Sequence, residues 1–274
     1  MTTPDPMPAT RPASTPVVLL NKVPEVFLLF WVVKILSTTV GETAADFLAS
    51  NVGLGLTGTS LLMAGLTVAA LALQLRARRY VPATYWTVVV LISVMGTLIT
   101  DNLVDNLGVS LWTTTSVFSV ALAMVFAAWF RVERTLSIHT ILTSRREAFY
   151  WSAILLTFAL GTSAGDLVGE RLALGYLPSA GLFGLLIALV TLAHVKGGLD
   201  AVLAFWAAYI LTRPFGASIG DYLTQAPADG GLGLGANVTS GVFLVVIVAA
   251  VSWFTVQQRR ADLAAAPAYE TAVA

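Results

Sequence analysis

An aromatic residue followed by Trp, then a Gly, then an Asp recurs four times in this chain at one spacing. The copies are Phe30-Trp31, Gly41, Asp46; Tyr85-Trp86, Gly96, Asp101; Tyr150-Trp151, Gly161, Asp166; and Phe205-Trp206, Gly216, Asp221. Internal repetition constrains a fold more than any local propensity, because copies of one unit stack by one rule. The step from Trp31 to Trp86 equals the step from Trp151 to Trp206. A unit doubled once, and the pair then doubled again, accounts for this pattern.

Each copy lies within a long apolar run. The chain is 57% hydrophobic and 11% charged, against about 25% charged for an ordinary soluble domain. So little charge cannot coat a water-soluble fold of this length. A spanning helix needs about 20 mostly apolar residues, and eight runs qualify: 24–48, 54–75, 83–107, 110–130, 149–168, 177–195, 199–223 and 234–256. Odd-numbered runs carry the motif, and even-numbered runs are plain Leu, Val, Ala and Gly. The predicted fold is all-α, a polytopic membrane protein of eight transmembrane helices arranged as four parallel two-helix repeats. The membrane domain covers residues 21–258, with repeats near 21–79, 80–140, 141–197 and 198–258. Residues 1–20, rich in Pro and Thr, read as a disordered tail, with no basic segment followed by an apolar core to suggest a signal peptide. Residues 259–274 read as a second loose tail.

Loop bases set the expected orientation. Lys22, the Arg76–Arg79 cluster, Arg131, Arg134, Arg145, Arg146, Lys196, Arg259 and Arg260 all fall on one side, and only Arg171 falls on the other. Both termini are therefore expected in the cytoplasm, in a multi-pass protein of the cell inner membrane. Two spans per unit make every copy enter from the same side, so the repeats are parallel rather than inverted. From Lys22 to Asp46, or from Asp200 to Asp221, a straight helix rises about 30–35 Å, which puts the four Asp near the outer end. Unwinding at the motif Gly would draw them inward.

A carboxylate in hydrocarbon costs roughly 2.5–3.5 kcal/mol on insertion scales, so it normally faces a bundle interior or a water-filled path. The four Asp read as a ring of that kind; helix-end caps at headgroup level are the plainer reading. Copy 1 is the most polar, with Thr39, Glu42 and Asp46 on one helix face. Copy 2 adds Asp105 one turn beyond Asp101, and copy 3 adds Glu170 one turn beyond Asp166. The ion-binding candidates are thus Thr39, Glu42, Asp46, Asp101, Asp105, Asp166, Glu170 and Asp221. Oxygen-only donors suit hard or borderline divalent cations or a proton relay. Lys34 and Arg213 lie in mid-helix and are expected to pair with carboxylates as internal counter-ions. Pro214 should kink its helix and free a carbonyl near Ile210. Gly41, Gly96, Gly161, Gly165, Gly216 and Gly220 read as packing positions where helices approach closely. The Trp residues read as interface or inter-helix anchors.

The string Asn21-Lys22-Val23-Pro24-Glu25-Val26, then Phe30-Trp31, Lys34-Ile35-Leu36, Thr38-Thr39 and Gly41-Glu42-Thr43, resembles a bacterial family of four-repeat integral membrane proteins. These are described as uncharacterised membrane-anchored proteins carrying a repeat of unknown function. The resemblance spans nearly all of the chain except its tails, and implies the fold but no activity. A looser similarity to manganese or calcium exporters is analogy alone, since those commonly use inverted repeats.

No Cys, no His cluster and no phosphate-binding loop are present, so an enzyme is not expected, nor is nucleic-acid binding. No cofactor is implied beyond a bound divalent cation, and the expected partners are the lipid bilayer and a small cation. Seven acids of the outer half face three bases, Lys34, Arg171 and Arg213, a balance that concentrates cations. The expected function is a membrane transporter, with divalent cation export as the leading case. A channel-like pseudo-tetramer and a non-transporting scaffold are the alternatives. Oligomeric state is not encoded in any motif.

Overall fold

The computed structural model describes residues 21–273, so the tail expected over 1–20 lies outside the described residues. Eight α-helices are present: α1 (Leu28–Asp46), α2 (Gly55–Arg76), α3 (Pro82–Asp101), α4 (Leu111–Glu133), α5 (Ser144–Asp166), α6 (Tyr176–Gly197), α7 (Ala201–Thr224) and α8 (Ala236–Val273). All eight are long and apolar enough to cross a membrane, and no strand occurs among the described residues. The helices follow the expected runs with two notable differences. α5 begins at Ser144, ahead of its apolar run, because the Thr143 side chain caps it by accepting from the Arg146 N–H, with Glu147 in the first turn. α8 continues through the region expected to be a loose tail, where an Ala-rich run favours helix.

The helices form two concentric rings. The spans containing α1, α3, α5 and α7 bury 61, 50, 61 and 56% of their apolar windows, against 22, 17, 17 and 22% for α2, α4, α6 and α8. Lipid tails are as apolar as Leu, so the plain outer helices lose nothing by facing them, whereas polar motif residues must turn inward. The inner ring closes: α1 packs on α3, α3 on α5, α5 on α7, and α7 back on α1.

The sequence suggests four two-helix hairpins. The structure joins those helices in sequence but packs them differently. Each outer helix lies along the inner helix of the following repeat: α2 on α3, α4 on α5, α6 on α7, and α8 back on α1. Every repeat is thus completed by its neighbour, and the last completes the first.

Glycine sets the inner spacing by one rule. A Cβ at Gly41 would overlap Ser93, one at Gly96 would overlap Phe158, one at Gly161 would overlap Arg213, and one at Gly216 would overlap Thr38. Each partner sits three residues before the motif Gly of the next repeat, so the same contact runs around the circle. The second glycines are looser. A Cβ at Gly165 would lie 3.7 Å from Pro214, an ordinary contact, and one at Gly220 would lie 3.3 Å from the Thr39 methyl.

The chain does not unwind at these glycines. It loosens just after the Asp in three copies, where π-helical turns follow at Phe47–Asn51, Asn102–Asn106 and Leu167–Arg171. α7 instead stays α-helical through Asp221 to Thr224. Such π-turns are uncommon and concentrate at functional positions.

Candidate functional site

The inner ring is stacked in layers along its axis. At the end that carries the loop bases, Lys22 Nζ bonds Glu147 Oε2 at 2.6 Å and the Leu75 carbonyl at 3.2 Å. Gln74 Nε2 and Trp151 Nε1 donate to Glu147 Oε1 at 3.2 and 3.5 Å. Lys22 and Glu147 are both buried, so the pair stands on its added hydrogen bonds rather than on charge alone. Nearby Tyr80 accepts from the Trp86 indole at 3.2 Å; burial holds its phenol above the usual range despite that bond.

The aromatic-Trp pairs form the next layer. Phe30 meets Trp86 at 5.6 Å between ring centroids, Tyr85 meets Trp151 at 5.5 Å, Tyr150 meets Trp206 at 6.2 Å, and Phe205 meets Trp31 at 5.7 Å. The first ring of each copy touches the Trp of the next, again in a closed circle. Offset and edge-on contacts at these separations are favourable for aromatics. Phe30, Tyr85, Tyr150 and Trp86 are buried almost completely, so the layer seals the axis. Tyr85 and Tyr150 share a hydrogen bond at 2.5 Å, while the buried Tyr209 hydroxyl has no partner.

Lys34 follows, fully buried. Among the described residues it pairs with no carboxylate, contrary to the sequence expectation. Its ammonium donates to the Tyr209 carbonyl at 3.1 Å and lies 4.4 Å from the Tyr209 ring centroid and 5.0 Å from that of Phe158. Two aromatic faces therefore replace the expected acid. The accepting carbonyl is one residue from Ile210, whose partner N–H Pro214 lacks.

Arg213 does find its acid. Its guanidinium crosses the axis and ties all four inner helices together. Nη2 bonds Glu42 Oε2 of α1 at 3.0 Å, Thr162 of α5 at 2.6 Å, and Thr97 of α3, while Nη1 donates to the Thr38 carbonyl at 3.1 Å. Thr97 also donates to Glu42 at 3.2 Å. Only Nε is left without a partner. Glu42, Thr97 and Thr162 each follow a motif Gly directly, and the fourth copy has Ala217 there. The small fourth residue leaves room for the arginine. Thr97 and Thr162 are not among the ligand candidates read from the sequence, whereas Glu42 is; aligning the residue after each motif Gly is the signal that finds this layer.

Beyond Arg213 stand Asp46, Asp101, Asp166 and Asp221, all half-buried. They are not scattered. Each interacts electrostatically with Glu42, and further interactions link Asp46 with Asp101 and Asp221, and Asp166 with Asp101 and Asp221. None of the four makes a salt bridge among the described residues. Asp105 and Glu170 lie farther out and are exposed, still within electrostatic reach of Asp46. Thr39 is placed elsewhere: its hydroxyl donates to the Gly216 carbonyl at 3.0 Å in the α1–α7 seam.

Among the described residues, no three carboxylates or imidazoles stand close enough to hold one metal ion. The arrangement is an acidic chamber floored by an arginine and sealed behind by aromatic rings. Glu42, which interacts electrostatically with all four Asp, is itself held in a salt bridge with Arg213.

The family model described as Repeat of Unknown Function (DUF347) matches the chain four times, over residues 29–80, 84–135, 149–196 and 204–260. These matches follow the four copies of the motif. Comparison with curated proteins and comparison with solved structures each give no match.

Proposed function

We propose that this chain, which belongs to the Repeat of Unknown Function (DUF347) family, is a membrane carrier for small cations, with divalent cation export as its leading task. One observation supports this reading: four Asp each interact electrostatically with Glu42 yet make no salt bridge among the described residues, while Glu42 itself pairs with Arg213. A scaffold would gain nothing from keeping four extra acids together away from bases, since each costs free energy in a membrane interior. The loop bases favour a cytoplasmic position for the sealed end, and with it an outward-facing acidic chamber in the inner membrane.

The absence of a three-ligand cluster bears on how the ion is held. A divalent ion entering this chamber keeps much of its water, as Mg²⁺ readily does, and interacts with the Asp ring through that shell. The aromatic layer and the buried Arg213 fill the axis, which favours a carrier that changes shape over a standing channel. In the mechanism, the arriving cation competes with Arg213 for Glu42, and loss of that pair loosens the one contact that joins all four inner helices.

Expression in cells stressed with excess Mg²⁺, Ca²⁺ or Mn²⁺, each in turn, tests the assignment. The wild-type protein raises tolerance to at least one of them, and Asp46→Asn removes the gain at equal protein level. Equal tolerance in cells with Asp46→Asn and with wild type rules Asp46 out as part of the passage.

A further inference from the structure

The layer that closes the axis contains more hydrogen-bonding groups than a seal needs. Between buried Glu147 at the basic end and buried Lys34 stand three buried phenols, Tyr150, Tyr85 and Tyr209. Tyr150 interacts electrostatically with both Glu147 and Tyr209, and Tyr85 with both Tyr150 and Tyr209. The Tyr85 and Tyr150 hydroxyls are in direct hydrogen-bond contact at 2.5 Å. The Tyr209 hydroxyl is buried without a partner among the described residues, and in native proteins such a group is normally met by an ordered water. Its ring lies against the Lys34 ammonium, whose three donors have one hydrogen-bond acceptor.

We propose that Glu147, Tyr150, Tyr85, Tyr209 and Lys34 form a proton path, and that the carrier exchanges a cation for a proton. This rests on the reading of the acidic chamber as a cation site. The coupling is electrostatic. Lys34 interacts directly with Arg213, charge against charge. A cation in the chamber adds positive charge beyond Arg213, and frees Arg213 from Glu42. Both effects disfavour a proton on Lys34. That proton passes to the Tyr209 hydroxyl through its water. Each hydroxyl accepts a proton on oxygen and gives up its own to the next, so no phenol changes charge overall. The proton ends on the Glu147 carboxylate, displaces its bond to Lys22, and leaves to the basic side. After the cation has gone, Lys34 takes its next proton from the side of the Asp residues, so each cycle carries one proton to the basic side and one cation the other way. The charged and titratable groups around this path are Glu42 and Lys22 from the first repeat, Tyr80 ahead of α3, and Arg213 from α7. By linkage, the ion and the proton weaken each other's binding equally.

The test uses purified full-length protein in liposomes with a pH-sensitive dye inside, given Mg²⁺, Ca²⁺ or Mn²⁺ separately. The expected result is proton movement opposite to the cation that is carried. Its apparent affinity should rise about tenfold per pH unit where one proton is released per ion bound. Tyr150→Phe removes one hydroxyl with little change of shape; cation binding should persist while the opposing proton flux falls at least about tenfold. Lys34→Met should abolish the opposing proton flux while cation binding persists. Cation flux without proton movement, or unchanged coupling in Tyr150→Phe, overturns the proton path and leaves the cation reading standing. No flux of any of the three ions overturns the divalent cation reading, and the exchange with it.

Discussion

At the scale of single residues, two choices fix the centre of the molecule: Arg213 at a position held by Thr38, Ser93 and Phe158 in the other copies, and Glu42 where they have Thr97, Thr162 and Ala217. A fully buried guanidinium is tolerable only because Glu42, two threonine hydroxyls and a carbonyl meet it. Glu42→Gln leaves that cation unmatched and should cost about 3–5 kcal/mol of stability, read as a drop in unfolding temperature in detergent. The double replacement Glu42→Leu with Arg213→Met should recover most of this loss while abolishing transport. The glycines give a second contrast. Gly216→Ala drives a methyl into Thr38 and should destabilise by about 1–3 kcal/mol. Gly165→Ala meets only ordinary contacts and should be neutral or stabilise by up to about 1 kcal/mol through helix propensity. The sequence marked both as packing glycines of one kind. It could not separate them, because the difference lies in which residue of the next helix stands opposite.

Among the elements, the helices and their repeat were legible because hydropathy and spacing are properties of the chain itself. Which helix packs on which was not. Chain neighbours were read as hairpins, but α8 completes repeat 1 and α4 completes repeat 3, through matching contacts. Ser240 meets Thr43 at 2.5 Å, and Thr115 meets Ser163 at 3.2 Å. Thr43 and Ser163 occupy the same position, two residues after the motif Gly. The chain contains no Cys, so paired cysteines can be read cleanly. Thr43→Cys with Ser240→Cys, and Thr115→Cys with Ser163→Cys, should both cross-link in membranes under mild oxidation, since hydroxyl contacts at these distances suit disulfide geometry. Hairpins packed on themselves would leave α8 beside α7, and the first pair would stay reduced. Lys34 shows the other limit of sequence reading. A buried base is normally assigned an acid, yet here two aromatic faces and a carbonyl meet it, and neither ring carries a formal charge to announce its role.

As a whole, the molecule is a ring of four nearly equivalent units made unequal at one level. Aromatic contacts and glycine contacts repeat around the full circle, but the Arg213 layer does not, and the π-turn is missing from the fourth copy. Repetition builds the ring, and the asymmetry places one buried, four-helix-spanning arginine within it. The fourfold recurrence of the Asp was legible from spacing alone. Its relation to Arg213 was not, because that depends on the closure of repeat 4 onto repeat 1. A filled axis predicts slow, saturable turnover and no unitary currents in planar bilayers. The most direct measurement of the central claim is cation uptake by liposomes containing the purified protein, with wild type beside the double variant Asp101→Asn, Asp221→Asn. The acidic chamber should concentrate the ion, so the variant should lose uptake by about tenfold or more while keeping its unfolding temperature. Equal uptake by a folded variant, or none by the wild type, would contradict it.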